Sequence, residues 1–221
     1  LYLTRNSGNM PCVGLGTMSY PEPEKAIELI KYALDIGYRH IDTARKYGSE
    51  NWVGDAIKMS NVPRDKLWIT TKVTEDNAAP VDFMKSLEKS LMALNLNYVD
   101  LLLIHWPSRT IPIKDTVGAL NNAKKEGLAR NIGISNFTTS LIQEAVHCSE
   151  EELYCNQIEY HAYINQDKVL RACDKYGILV TCHVPLARGV ILNDPIIQTI
   201  ALKHNKSSAQ VALKWLLQQT R

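Results

Sequence analysis

The chain lacks most of the features that mark a protein for a membrane, a disulfide framework or a nucleic acid. No apolar run reaches membrane-spanning length, and the opening LYLTRNSGNM has neither a signal-peptide core nor an initiator Met, so the native start is expected to lie elsewhere. The five cysteines, Cys12, Cys148, Cys155, Cys173 and Cys182, form no CxxC pair and no finger-like spacing with histidine. That argues against disulfides and structural zinc and for a reducing cytoplasm. An excess of one charge is missing too: 25 Lys and Arg against 23 Asp and Glu leave a net +2, scattered along the chain, so no nucleic-acid groove and no membrane surface is expected as a partner. The dinucleotide-binding GxGxxG is absent as well, because GLGTMS, residues 14–19, has no third glycine.

What is present suits one large α/β domain spanning residues 1–221, with 45% hydrophobic and 22% charged residues. After a predicted hairpin, LYLT turning at NSGN into MPCV, apolar strand-like runs alternate with amphipathic helical stretches. Seven strands are predicted: Val13 to Met18, Tyr38 to Ala44, Leu67 to Val73, Val99 to His105, Ala129 to Asn136, Cys155 to Tyr160 and Leu179 to Val184. Ile27, Ile30 and Leu34, and again Phe83, Leu87, Leu91 and Leu94, repeat at the spacing of one buried helix face. Asp194 before Pro195, and Ser207 with Gln210, read as helix starts.

Runs such as DLLLIH are apolar on both faces, as a helix-covered parallel sheet requires. Two architectures fit repeated β-then-α units, a doubly wound open sheet and a (β/α)₈ barrel. The polar residues decide between them. Asp42, Lys72, His105, Asn136, Gln157 and His183 each stand at a predicted strand end, the pattern of a barrel whose site is assembled at its C-terminal face.

Within that set, Lys72 at the end of a buried strand needs a partner, and Asp42 on the neighbouring strand is the natural one. Tyr47 follows Asp42 on its loop and would fold back over the pair. A phenol titrating near roughly 10 is a poor acid at neutral pH without a nearby cation, and Lys72 supplies that cation. Tyr47 thereby becomes a general acid or base, with His105 beside it. Taken singly, Asp42 and Lys72 read equally well as a structural salt bridge, and His105 as a core imidazole. Gathered at successive strand ends, they read as chemistry. His40 and Asp42 share a strand face suited to a metal, but no second HxH pair accompanies them and Lys72 would oppose a cation, so no metal is expected.

GYRHIDTARKYGSE, TTKV, LLLIHWP, IGISNF, NQIEYH and PLARG, in that order and across almost the whole chain, resemble the aldo-keto reductases. The finer pattern most resembles compact bacterial members that reduce diketo-gluconate or methylglyoxal-like 2-oxoaldehydes. The resemblance implies a (β/α)₈ barrel that binds NADPH in extended form and reduces aldehydes or ketones, working as a monomer when full length. Carried over, it makes Asp42, Tyr47, Lys72 and His105 catalytic. Gly16, Thr17, Asp42, Ser135, Asn136, Gln157, His183, Leu186 and Arg188 become cofactor-binding, and Tyr47, Thr74, His105 and Trp106 line the substrate pocket.

Two positions depart from the family's pattern. His183 stands where a Tyr commonly stacks on the nicotinamide, and Thr74 where many members place a Trp, which leaves the pocket more open and polar. The chain also ends at LLQQTR, where the family continues with an eighth strand and a tail, so a barrel incomplete at its C-terminus is expected, either as part of a longer protein or with another segment filling the gap. A catalytically weak barrel serving as a cofactor-sensing or interaction module is the alternative reading.

Overall fold

The computed structural model describes residues 2–5, 8–20 and 22–219. Tyr2–Arg5 (β1) and Gly8–Pro11 (β2) pair antiparallel, with Leu3 opposite Met10. Of the predicted turn NSGN, Asn6 and Ser7 lie outside the described residues, while Gly8 and Asn9 already belong to β2. The chain divides into two compact units, Leu1–Tyr154 and Cys155–Arg221.

In the first unit, Leu15–Gly16 (β3), His40–Asp42 (β4), Trp68–Val73 (β5), Val99–Ile104 (β6) and Ala129–Ser135 (β7) pair in parallel, each with its chain neighbour. Helices follow the strands: Pro23–Asp35 (α1), Glu50–Met59 (α2), Pro80–Leu94 (α3), Ile113–Lys125 (α4) and Thr139–Cys148 (α5). Every residue of β5 and β6 is buried, as the two-sided apolar pattern predicts for a covered parallel sheet.

The strands β3 and β4 are shorter than predicted. Only Leu15 and Gly16 pair with Ile41 and Asp42. Beyond them the chain is leaving the sheet, although the Thr17 N–H still reaches Asp42 O at 3.0 Å and the Thr43 N–H reaches Thr70 O at 2.9 Å.

Helix spacing behaves as expected. Phe83, Leu87, Leu91 and Leu94 form the buried face of α3, and Ile30 and Leu34 that of α1, where Ile27 is only half-buried. Gly54 lets α2 approach α3 closely, because a Cβ there would stand 2.6 Å from Leu94 O, a backbone atom that cannot swing aside. Gly54→Ala gains about 1 kcal/mol of helix propensity, but overpacking costs about 1–3 kcal/mol. A lowered midpoint in thermal unfolding is the expected outcome; a raised one would mean the helices do not touch there.

In the second unit, Leu153–Glu159 (β8), from Cys155 onward, pairs in parallel with Leu179–His183 (β9), Gln157 lying opposite Thr181 and Glu159 opposite His183. Asp167–Lys175 (α6), Pro195–Lys203 (α7) and Ser208–Gln219 (α8) complete it. Ile158, Tyr160 and Leu216 form its core with Val180 and Trp215, the Tyr160 and Trp215 rings lying 5.5 Å apart. Both predicted helix starts are present. Asp194 Oδ1 accepts from the N–H groups of Ile196 and Ile197, while Ser207 and Gln210 exchange reciprocal bonds of 2.9 and 3.2 Å.

Candidate active site

Lys72 sits one residue before the end of β5 and has no solvent exposure. Its Nζ donates to Asp42 Oδ1 and, at 3.0 Å, to Thr43 O, and lies 3.4 Å from the Tyr47 hydroxyl. Those partners match the three protons of an ammonium. Burial works to lower the Lys72 pKa, but Asp42 first and Tyr47 second raise it, and the net direction is up. The lysine is therefore a fixed cation, tied on one side to a carboxylate and on the other to a phenol.

Tyr47 closes a short 3₁₀ turn, Arg45–Tyr47, and Gly48 follows in the left-handed region at φ 68°, where a side chain would be strained. Behind this turn runs a buried polar network absent from the sequence reading. Glu50, 2% exposed, accepts from Thr71 Oγ1 at 2.7 Å and from Arg45 at 3.3 Å, and Ser49 Oγ lies 3.0 Å from Thr17 Oγ1 and 3.2 Å from Thr43 Oγ1. Thr71 points to the opposite sheet face from Lys72 by strand alternation, so one strand anchors both the network and the cation. The only signal in sequence was adjacency: Ser49 and Glu50 follow Tyr47, and Thr71 precedes Lys72.

His105 follows β6, its ring edge-on to Tyr47 with centroids 5.6 Å apart and planes at 81°. Burial, then the Lys72 charge, pushes its pKa down to about 4 against the weaker pull of Glu75 and Asp42. At neutral pH the imidazole is uncharged: a hydrogen-bond donor, but a poor source of protons. Asn136, left-handed at φ 63°, donates to His105 O at 2.9 Å and to Ser135 Oγ at 3.0 Å, which ties the β7 end to the β6 end.

The His105 shift makes stability depend on pH. An unfolded imidazole binds a proton near 6.5 and the folded one only near 4, so acid favours the unfolded chain between those values. Urea unfolding should show stability falling as pH drops from 6.5 toward 4, with a smaller fall for His105→Gln. Equal falls in both proteins would mean that His105 is not held neutral.

Of the remaining predicted residues, Thr17 is buried and bonded to Asp42 O and Ser49, and Gly16 borders open space in which an added Cβ meets nothing within 4 Å. Thr74 accepts from Asn77 Nδ2 at 3.1 Å at the head of a 3₁₀ turn, Glu75–Asn77, and Trp106 is 46% exposed. The second unit holds Gln157, buried near the end of β8, and His183, half-buried at the end of β9. Leu186 and Arg188 lie on the loop after β9, where Val184, Ala187, Arg188 and Gly189 all have positive φ. His40 is structural: Nδ1 donates to Pro11 O at 3.3 Å and Nε2 accepts from Thr70 Oγ1 at 3.0 Å.

The first unit thus brings Asp42, Tyr47, Lys72, His105, Ser135 and Asn136 to consecutive strand ends. Its residues suit a nicotinamide. Ser135 and Asn136 offer uncharged hydroxyl and amide groups of the kind that hold a carboxamide, and Gly16 leaves room at the β3 end.

Residues 12–221 match the model of the aldo/keto reductase family. The chain belongs to that family. It is 44% identical over 211 residues to the methylglyoxal reductase DkgB of Escherichia coli O157:H7, covering 94% of this chain and 79% of that protein. With the glyoxal reductase of Bacillus subtilis (strain 168) it shares 40% identity, over 96% of this chain and 77% of the other. A crystal structure of a thermostable aldo-keto reductase in complex with the inhibitor epalrestat superposes with a TM-score of 0.93 at 35% identity, covering 99% of this chain and 86% of that one. The fold is accordingly α/β of the (β/α)-barrel type, with seven parallel strands and an N-terminal hairpin among the described residues. As an aldo-keto reductase the protein is an NAD(P)H-dependent oxidoreductase of carbonyl compounds. No helix among the described residues is long and apolar enough to cross a membrane.

Proposed function

We propose that the protein uses NADPH to reduce small 2-oxoaldehydes or keto sugars to alcohols, with Tyr47 as general acid, Lys72 and Asp42 tuning it and His105 orienting the substrate. The observation that carries this reading is the buried Lys72 ammonium joining the Asp42 carboxylate to the Tyr47 hydroxyl. A reduced nicotinamide supplies the hydride when bound. As the carbonyl oxygen took on negative charge, Tyr47 would donate its proton to that oxygen. The phenolate left behind would face Lys72, whose charge would stabilise it. Asp42 keeps that cation in place and offsets the cost of burying it.

His105 complements Tyr47. Being neutral at pH 7, it donates a hydrogen bond to the same carbonyl oxygen without competing as the proton source. In the first unit, Ser135 and Asn136 would hold the carboxamide and so fix which ring face is presented, and Gly16 and Thr17 would line the cofactor; in the second unit, Gln157, His183, Leu186 and Arg188 are the candidate cofactor residues. Thr74 and Trp106 border the substrate. The preference for small oxygenated substrates agrees with relatives named for methylglyoxal and glyoxal reduction. All five cysteines are free thiols, which suits work in the cytoplasm.

The test is a fluorescence titration with NADPH and with NADH, followed by an absorbance assay against a panel of 2-oxoaldehydes and keto sugars. Saturable binding that favours NADPH, with turnover, is the expected result. Binding without turnover would select the cofactor-sensing alternative instead.

A further inference from the structure

The Tyr47 hydroxyl stands 3.4 Å from Lys72 Nζ, at the long end of a hydrogen bond, and the ammonium is also engaged by Asp42 and Thr43. So loose a contact does not by itself fix the phenol. The turn that carries it is closed by local backbone bonds, from the Tyr47 N–H to Ala44 O at 3.0 Å and from the Gly48 N–H to Arg45 O at 3.3 Å. Those bonds shape the turn without setting where it sits relative to β5.

Glu50 supplies that reference. Its Oε1 accepts at 2.7 Å from Thr71 Oγ1, one residue before Lys72 on β5, and its Oε2 accepts at 3.3 Å from Arg45, the first residue of the turn. One carboxylate thus joins the strand that carries the cation to the turn that carries the phenol, working from the face of β5 opposite Lys72. Glu50 is only 2% exposed, and a charge buried so deeply is costly unless compensated. The Thr71 hydroxyl, the Arg45 guanidinium and a place in the first turn of α2, at the positive end of the helix dipole, compensate it. Lys46 ties the same turn to Glu75 at 3.2 Å, but both of those groups are open to water, which weakens the tie.

We infer that Glu50 is a positioning residue for the reduction: by holding Thr71 and Arg45 together it sets the Tyr47 hydroxyl against Lys72 and so aims the proton. Buried behind β5, it acts through these two partners and not on the reacting atoms. The inference rests on the reading of Tyr47 as general acid and deepens it. A misplacement of about 1 Å at the reacting groups costs up to about a hundredfold in rate, even where the mutated residue lies away from the chemistry.

The experiment breaks the bridge from each end. In Glu50→Gln the amide oxygen still accepts from Thr71, but the amide N–H groups meet the Arg45 guanidinium, donor against donor; in Thr71→Val the hydroxyl is lost at nearly constant shape. Both variants should lose about tenfold to a hundredfold in kcat for a 2-oxoaldehyde, with KM and the NADPH dissociation constant, read by fluorescence, unchanged. Thr71→Ser keeps the hydroxyl and should recover most of the rate. The deciding comparison puts Glu50→Gln into the Tyr47→Phe background. With no phenol to aim, the second substitution should lower the residual rate no further. A Glu50 that merely supports the fold would lower the rate by the same factor in both backgrounds. That result, or a folded Glu50→Gln that reduces substrate at the parental rate, would overturn the inference while leaving Tyr47 as general acid. Should thermal unfolding show that Glu50→Gln does not fold, Thr71→Val in the same two backgrounds decides in its place. A Tyr47→Phe protein working at the parental rate would instead remove the general-acid reading, and this inference with it.

Discussion

Tyr47→Phe is expected to lose about a hundred- to ten-thousand-fold in kcat while keeping its fold and its affinity for the nicotinamide cofactor. Only the hydroxyl is removed. The ring keeps its edge-on contact with His105, and the 3₁₀ turn that carries it is held from behind by Glu50, Ser49 and Arg45 rather than by the phenol. His105 cannot take over as proton donor, because with a pKa of about 4 only about one molecule in a thousand carries the extra proton at pH 7. Steady-state rates and a fluorescence titration on parent and variant decide the matter. A variant keeping more than half of the parental rate would sink the assignment of Tyr47, and one that loses cofactor affinity in step with rate would recast the phenol as a binding group.

Lys72→Met should be nearly as damaging, by about a hundred- to a thousand-fold, the range seen when one preorganised donor is taken from a developing negative charge. Methionine fills much the same channel through β5 without the ammonium, so packing around the strand survives. The Asp42 side chain keeps 17% of its surface exposed and so retains some solvation once its partner is gone. Thermal unfolding should therefore change far less than rate. The reverse substitution separates the two roles: Asp42→Asn leaves an ammonium with no exposure facing a neutral amide, and removing one partner of a buried pair typically costs about 3–5 kcal/mol. The pair is purely structural if Lys72→Met unfolds the protein, or if it folds and reduces substrate at the parental rate.

Much of the architecture is legible one-dimensionally because it follows from short-range rules. The two-sided apolar run in VDLLLI requires a covered strand, and β6 is buried throughout. Phe83, Leu87, Leu91 and Leu94 mark a helix face, and α3 buries all four. Asp194 and the Ser207 and Gln210 pair announce helix starts through local hydrogen bonds that need no tertiary partner. Strand ends were less legible at β3 and β4, where the chain leaves the sheet while individual N–H groups still bond across it.

For the site, the sequence by itself determined which side chains stand at the strand ends: Asp42, Lys72, His105 and Asn136 follow from where each apolar run stops. The distances could not be read that way. Asp42 and Lys72 are thirty residues apart, and whether Lys72 reaches Asp42, Thr43 and Tyr47 together depends on the parallel register that sets β4 against β5 and on the turn that brings Tyr47 back. The tertiary structure alone decided the neutrality of His105, which comes from burial beside the Lys72 charge. It alone revealed Glu50 with Thr71 and Ser49 with Thr17 and Thr43 behind the catalytic turn, and Lys46 with Glu75 beside it. Those partners are distant in sequence or lie on different elements, and no periodicity encodes them. The reason is physical: patterning reports the side of an element that turns from water, whereas electrostatics depends on the separation and burial of charges, quantities that exist only once the strands are paired.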